Sequence, residues 1–188
     1  MKVGLTGLKD TDRLVLESIE SERDFLSTCL ADKYFSALCD ENMFRKRIMN
    51  KYSSSLYNKP DYMSYKKFYL QLIYYIDKLK SENGFNFTSG DPISYYELLN
   101  RRILDYLKIK NAIELGYTDL ALFLLEKKDV IHKAMLKKMF LTSAKSGNKI
   151  LVDYFLKRGD FGESDYTRAV KQAELGGHFE LADYLKSI

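Results

Sequence analysis

Two cysteines, Cys29 and Cys39, and two histidines, His132 and His178, are the side chains best suited to covalent or metal chemistry. A catalytic thiolate needs a base beside it, and neither histidine is near a cysteine in the chain. A zinc site needs four donors, paired at short spacings. Cys29 and Cys39 are not so spaced, and no second His, Cys or carboxylate stands at metal spacing from His178. The sequence shows no phosphate loop, no nucleophile–base–acid triad and no carboxylate pair in a glycine-bounded turn. The expectation is a protein with no enzymatic activity, no catalytic residue, no metal and no cofactor. Both cysteines are expected as free thiols packed like small apolar side chains. His132, among charged residues, is expected at the surface.

Two basic stretches stand out, and the first invites a nucleic-acid reading. Between Tyr65 and Lys80, tyrosines alternate with Lys66, Lys67, Lys78 and Lys80, a mixture suited to stacking on bases. The tyrosines, however, fall on the apolar face at helical spacing, so the lysines are expected to solvate the other face. Arg45-Lys46-Arg47 with Lys51 suits nuclear import, but is read first as a solvated helix end. The net charge of +4 is too mild to imply a nucleic-acid or membrane partner. No apolar leader follows Met1-Lys2, and no run reaches the ~18 apolar residues of a membrane span. An intracellular, reducing compartment is therefore expected.

The elements that position these residues are helical. The chain has two prolines and ten glycines in 188 residues, with 46% hydrophobic content, which favours an all-α fold over a turn-rich β fold. A repeat runs through the last third. Gly116, Gly147 and Gly177 are each followed four residues on by Leu120, Leu151 and Leu181. Seven residues on stand Phe123, Tyr154 and Tyr184, and eight on stand Leu124, Phe155 and Leu185. A period of this size marks stacked supersecondary units, and such stacks make surfaces for binding. In the second unit, Ile150, Leu151, Tyr154, Phe155 and Leu156 form one apolar stripe. Gly147 is expected in a left-handed turn between two helices, with Gly159 ending the second helix the same way. Ala112, Ser143 and Ala173 would let helices approach closely.

These features resemble ankyrin repeats over about 80 residues, 109–188. Gly177-His178-Phe179-Glu180-Leu181 is similar to the opening of the ankyrin second helix, and Lys157-Arg158-Gly159-Asp160 to its closing turn. The Thr-Pro-Leu-His opening of that family is absent, and Lys128 stands where the first unit's closing Gly belongs. The resemblance implies that His178 is structural, bonding neighbouring backbone. It also implies a target protein, with Asp160, Phe161, Glu163, Ser164, Asp165 and Tyr166, on the turn side, as its contact.

Residues 1–52 read as three or four short helices, with Ser21 and Asp24 as a helix start. Their order resembles an F-box. Leu8, Leu14, Leu16 and Ile19 match its aliphatic run, Asp24-Phe25 its Asp-Leu, Cys29 its Val-Cys and Phe35 its aromatic. Leu38 and Asp40 follow, and Met43-Phe44 replaces Leu-Trp. The resemblance implies docking on a Skp-family adaptor through Leu8, Leu14, Leu16, Ile19, Phe25, Leu26, Cys29, Phe35, Leu38 and Phe44. From the pattern alone, a private three-helix core remains open.

Residues 53–108 read as a helical bridge. Ser53 to Asp61 has linker composition. An amphipathic helix runs from near Ser64 to near Gly84. A further helix, opened by Asp91-Pro92, carries Tyr95, Tyr96, Leu98, Leu99, Ile103, Tyr106 and Leu107 and caps the stack. The combination resembles the ankyrin proteins of large DNA viruses. It implies an adaptor between a target and a cullin-type ubiquitin ligase, in host cytoplasm or nucleus. The alternative is an ankyrin-type binding scaffold with no ligase link.

Overall fold

The computed structural model describes residues 9–31, 33–88, 90–128 and 130–188. The described residues contain no strand, so the chain is all-α. It divides into two compact units, Met1–Tyr96 and Glu97–Ile188.

The first unit opens with α1 (Lys9–Ser18), α2 (Glu22–Ala31), α3 (Lys33–Leu38) and α4 (Glu41–Lys51). Short polar caps set the breaks. The Ser21 hydroxyl accepts from the Asp24 amide at 3.3 Å, and Asp40 accepts from the Met43 amide at 2.9 Å. Such caps satisfy amides that the first helical turn leaves without partners. After a 3-10 turn (Ser53–Asn58) comes α5 (Tyr65–Asn83). It is capped by Ser64 and ended by Gly84 at φ 67°, at the bounds the apolar spacing predicts. α5 packs on α4, and its Phe68, Tyr69 and Leu72 share one core with Leu16, Phe25, Leu38, Phe44 and Ile48.

The sequence and the structure differ here in three places. Cys29 and Cys39 are joined in a disulfide and are not free thiols. The packing of α2 on α3 brings their Cα atoms to 5.7 Å, a consequence of helix pairing that linear spacing conceals. Ser53–Asn58 is no linker: buried Ser55 donates to Asp91 at 3.1 Å and Asn58 donates to its other oxygen at 2.6 Å. Finally, Arg47 is interior, whereas Arg45 and Lys46 are exposed.

The helix opened by Asp91-Pro92 is also shorter than expected. α6 (Pro92–Asn100) and α7 (Asp105–Glu114) are separate, and Lys108 on α7 reaches back to the Leu99 carbonyl at 2.6 Å. The apolar pattern continues across the break, so periodicity alone joined them.

The second unit repeats one helix pair: α7 with α8 (Thr118–Glu126), α9 (Lys133–Lys145) with α10 (Lys149–Arg158), and α11 (Glu163–Leu175) with α12 (Phe179–Lys186). α9 packs against both α7 and α11, and α10 against α8. Each pair turns identically. Gly116, Gly147 and Gly177 have φ of 75°, 71° and 78°. The amides of Tyr117, Asn148 and His178 bond back to the carbonyls of Ala112, Ser143 and Ala173 at 2.8, 3.0 and 2.8 Å. This is the left-handed helix stop that glycine adopts without a Cβ penalty. Those three small residues are fully buried, and the Ser143 hydroxyl is satisfied by the Met139 carbonyl. Leu120, Leu151, Phe155, Leu181 and Leu185 face the interior, each worth ~1.5–3 kcal/mol when buried, while Ile150 of the expected stripe is exposed. Gly159 departs from the expected left-handed turn, with φ −111°. Space, not φ, requires it: a Cβ there would fall 2.3 Å from the Phe161 ring.

Candidate functional site

In the amino-terminal unit, the F-box-like residues divide by exposure. Leu8 lies outside the described residues. Leu16, Phe25, Cys29, Leu38 and Phe44 are buried, Ile19, Leu26 and Phe35 are half-buried, and Leu14 is 66% exposed. Leu30, which the motif comparison passed over, is 67% exposed. The buried group is locked by aromatic packing. Phe25 meets Phe44 and Tyr69 edge-on, with centroids 5.7 and 5.8 Å away.

A polar frame surrounds that core. Arg47 donates from Nε to Glu22 at 2.8 Å and to the Tyr69 hydroxyl at 2.9 Å. Its Nη2 reaches the Ile19 carbonyl at 2.6 Å, and the guanidinium lies 4.1 Å from the Phe25 ring centroid. One side chain thereby fixes the turn between α1 and α2. Burial, and then the Glu22 charge, push the Tyr52 hydroxyl well above its ordinary value. The polar Asp12-Arg13 pair has a structural use too. Asp12 accepts from Tyr34 at 2.7 Å, and Arg13 holds Asp40 through both carboxylate oxygens at 2.8 Å. Burial raises the Asp40 carboxyl, but the Met43 amide and Arg13 outweigh it and leave it below the ordinary range.

The expected target contact, residues 160–166, works largely as a seal between α9 and α11. Phe161 stacks on Phe140 at 4.4 Å, and Tyr166 meets the same ring edge-on at 6.3 Å. Buried Asp165 accepts from the Gly162 amide and from Lys137. Asp160 pairs with Lys133 at 3.3 Å. Asp160, Glu163 and Ser164 remain exposed.

Further links join successive units. Asn148 donates to Thr118 at 2.6 Å, and the Tyr184 hydroxyl donates to Asp153 at 2.8 Å. The Lys149 ammonium lies 3.8 Å from the centre of the Tyr184 ring. His178 makes no side-chain cap bond to backbone, contrary to what the ankyrin resemblance implies. Its ring instead lies over Gly147. His132 is exposed.

Sequence reasoning passed over a groove along α7 and α9. Two adjoining depressions of about 300 and 310 Å³ share Tyr106, Met135 and Met139. The signal was present in α9, which carries four lysines and no acid.

Among the described residues, no cluster of three or more His, Cys, Asp or Glu is placed to hold a metal. No described helix is long and apolar enough to cross a membrane. No protein-family model, curated protein or solved structure matches the chain.

Proposed function

We propose that this chain is a non-enzymatic interaction protein whose stacked helix pairs hold a target protein. The observation that carries the reading is the threefold recurrence of one glycine turn, with its buried small residue, in three packed helix pairs. Such an array spends its apolar residues between units and leaves an extended outer surface for binding. The amino-terminal unit supplies the second half of an adaptor. Its exposed Leu14 and Leu30 are docking residues for a Skp-family protein, which links the target to a cullin-type ubiquitin ligase. Proximity then raises the effective concentration of a target lysine near the ubiquitin-charged enzyme.

Burial of Phe25, Leu38 and Phe44 favours a second reading, in which the amino-terminal helices form only a private core and the chain is a scaffold without a ligase link. Size exclusion with a purified Skp-family adaptor separates the two. Wild type is expected to co-elute, and Leu14→Asp with Leu30→Asp is expected not to. Both side chains are solvent-facing, so the variant keeps its fold, whereas Phe25→Ala would damage the core. Absence of wild-type co-elution sinks the ligase link and leaves the scaffold.

A further inference from the structure

We infer that the groove along α7 and α9 takes an acidic amphipathic helix of the target, an assignment that rests on the target-holding reading above. The groove floor is apolar: Met139 is buried, and Met135 and Tyr106 are partly open to solvent. The rim is cationic. Of the four lysines on α9, Lys133 and Lys137 are engaged by Asp160 and Asp165. Lys138 and Lys145 are exposed, border the groove, and have no ion pair among the described residues. Across from them, Lys110 is paired with Glu114 at 3.0 Å.

Spacing sharpens the choice of occupant. Met135, Lys138, Thr142 and Lys145 stand at i, i+3, i+7 and i+10, so they form one stripe on the helix surface. Lys138 and Lys145 are two turns apart, about 10 Å along the axis. A partner helix with carboxylates seven residues apart matches both ammonium groups. Apolar residues on the same face, between the carboxylates, would then meet Met135 and Met139. Complementary charge of this kind fixes register and speeds encounter. A nucleic-acid strand is the other ligand that lysines attract, but it needs aromatic platforms for its bases. Here the lining is mainly Met and aliphatic, and its rings, Tyr106 and His132, are too few to stack a run of bases.

The test uses the full chain and a display library of randomised 16-residue peptides. Selected peptides are labelled and titrated by fluorescence anisotropy. Three proteins are compared: wild type, Lys138→Glu with Lys145→Glu, and Lys67→Glu with Lys80→Glu. The last makes the same charge change on exposed positions of the other unit. Selected sequences are expected to carry acidic residues seven apart with apolar residues between. Binding should weaken on the order of tenfold or more in the Lys138/Lys145 variant, and less than about twofold in the control. Peptides without that pattern, equal weakening in both variants, or no weakening would overturn the assignment. So would a single-stranded oligonucleotide that binds wild type in place of the peptides and is lost in the Lys138/Lys145 variant. Thermal melts of both variants check that the fold is intact. Skp-family co-elution, read on the same proteins, stands apart: its loss removes only the ligase link, and failed peptide selection removes only the groove.

Discussion

The imidazole of His178 occupies the space that a side chain at Gly147 would need, with its Nδ1 2.4 Å from where that Cβ would sit. The same glycine holds φ 71°. Two demands, one local and one between units, therefore fall on Gly147. Gly116, at φ 75°, has nothing within 4 Å of its Cβ position and meets only the local demand.

Gly116→Ala should cost about 1–2 kcal/mol, the strain of a left-handed alanine. Gly147→Ala should cost roughly 2–4 kcal/mol, because overlap with the His178 ring adds to that strain. Urea melts of the two variants measure the difference. Equal losses would show that His178 moves aside freely.

Gly176 reverses the usual rule for glycine. Its φ is −80°, which any residue adopts, yet a Cβ would fall 2.1 Å from the Lys145 carbonyl oxygen. Backbone cannot swing away as a flexible side chain can. Gly176→Ala should therefore destabilise by about 3 kcal/mol or more, exceeding the effect of Gly177→Ala, whose φ is 78° but whose Cβ position is open. A larger loss at Gly177 would refute the close approach.

Asp165 should make the second unit acid-sensitive. Its bond from Lys137 lowers the carboxyl below its ordinary 3.8, against burial, with help from the Gly162 amide. A lowered folded-state value means that stability is fully present above the ordinary value and is lost as pH falls through the folded one. Asp165→Asn should lower the melting temperature at neutral pH, and the gap to wild type should close by roughly pH 2. Parallel melting curves across that range would remove Asp165 from the acid response.

The Cys29–Cys39 bond closes a short loop, with a sequence separation of 10. Loop-closure entropy assigns it about 3 kcal/mol. A reductant should lower the wild-type melting temperature and leave Cys29→Ala with Cys39→Ala unchanged. Thiol titration of denatured, unreduced protein should find no free sulfhydryl, and two would contradict the bond.

Arg47→Ala should cost about 1–3 kcal/mol, since the Tyr69 hydroxyl and the Ile19 carbonyl lose their donor, while Glu22 keeps Lys51 at 2.8 Å. Arg47→Lys should not restore stability, because an ammonium cannot reproduce the fork that reaches Glu22, Tyr69 and the Ile19 carbonyl together. Chemical denaturation of the three proteins decides this. Rescue by lysine would mean that charge alone matters.

The parts governed by short-range rules are legible in the residues alone. Ser64 and Gly84 bound α5 because a cap and a left-handed stop act within one helical turn. The recurrence of Gly116, Gly147 and Gly177 fixed three helix pairs, because each glycine answers a local backbone need. Tertiary structure decided what depends on residues far apart in the chain. Phe25 became core because Phe44 and Tyr69 close over it. Asp165 and Phe161 became a seal because α9 brings Lys137 and Phe140 to meet them. Cys29 and Cys39 became bonded because α2 packs on α3. The exposed cations, Lys138 and Lys145, emerged only by subtraction, once Asp160 and Asp165 had engaged the other two lysines of α9. Periodicity tells which face of a helix is apolar. It does not tell which partner covers that face, and on this chain that partner decides whether a residue is core or surface for binding.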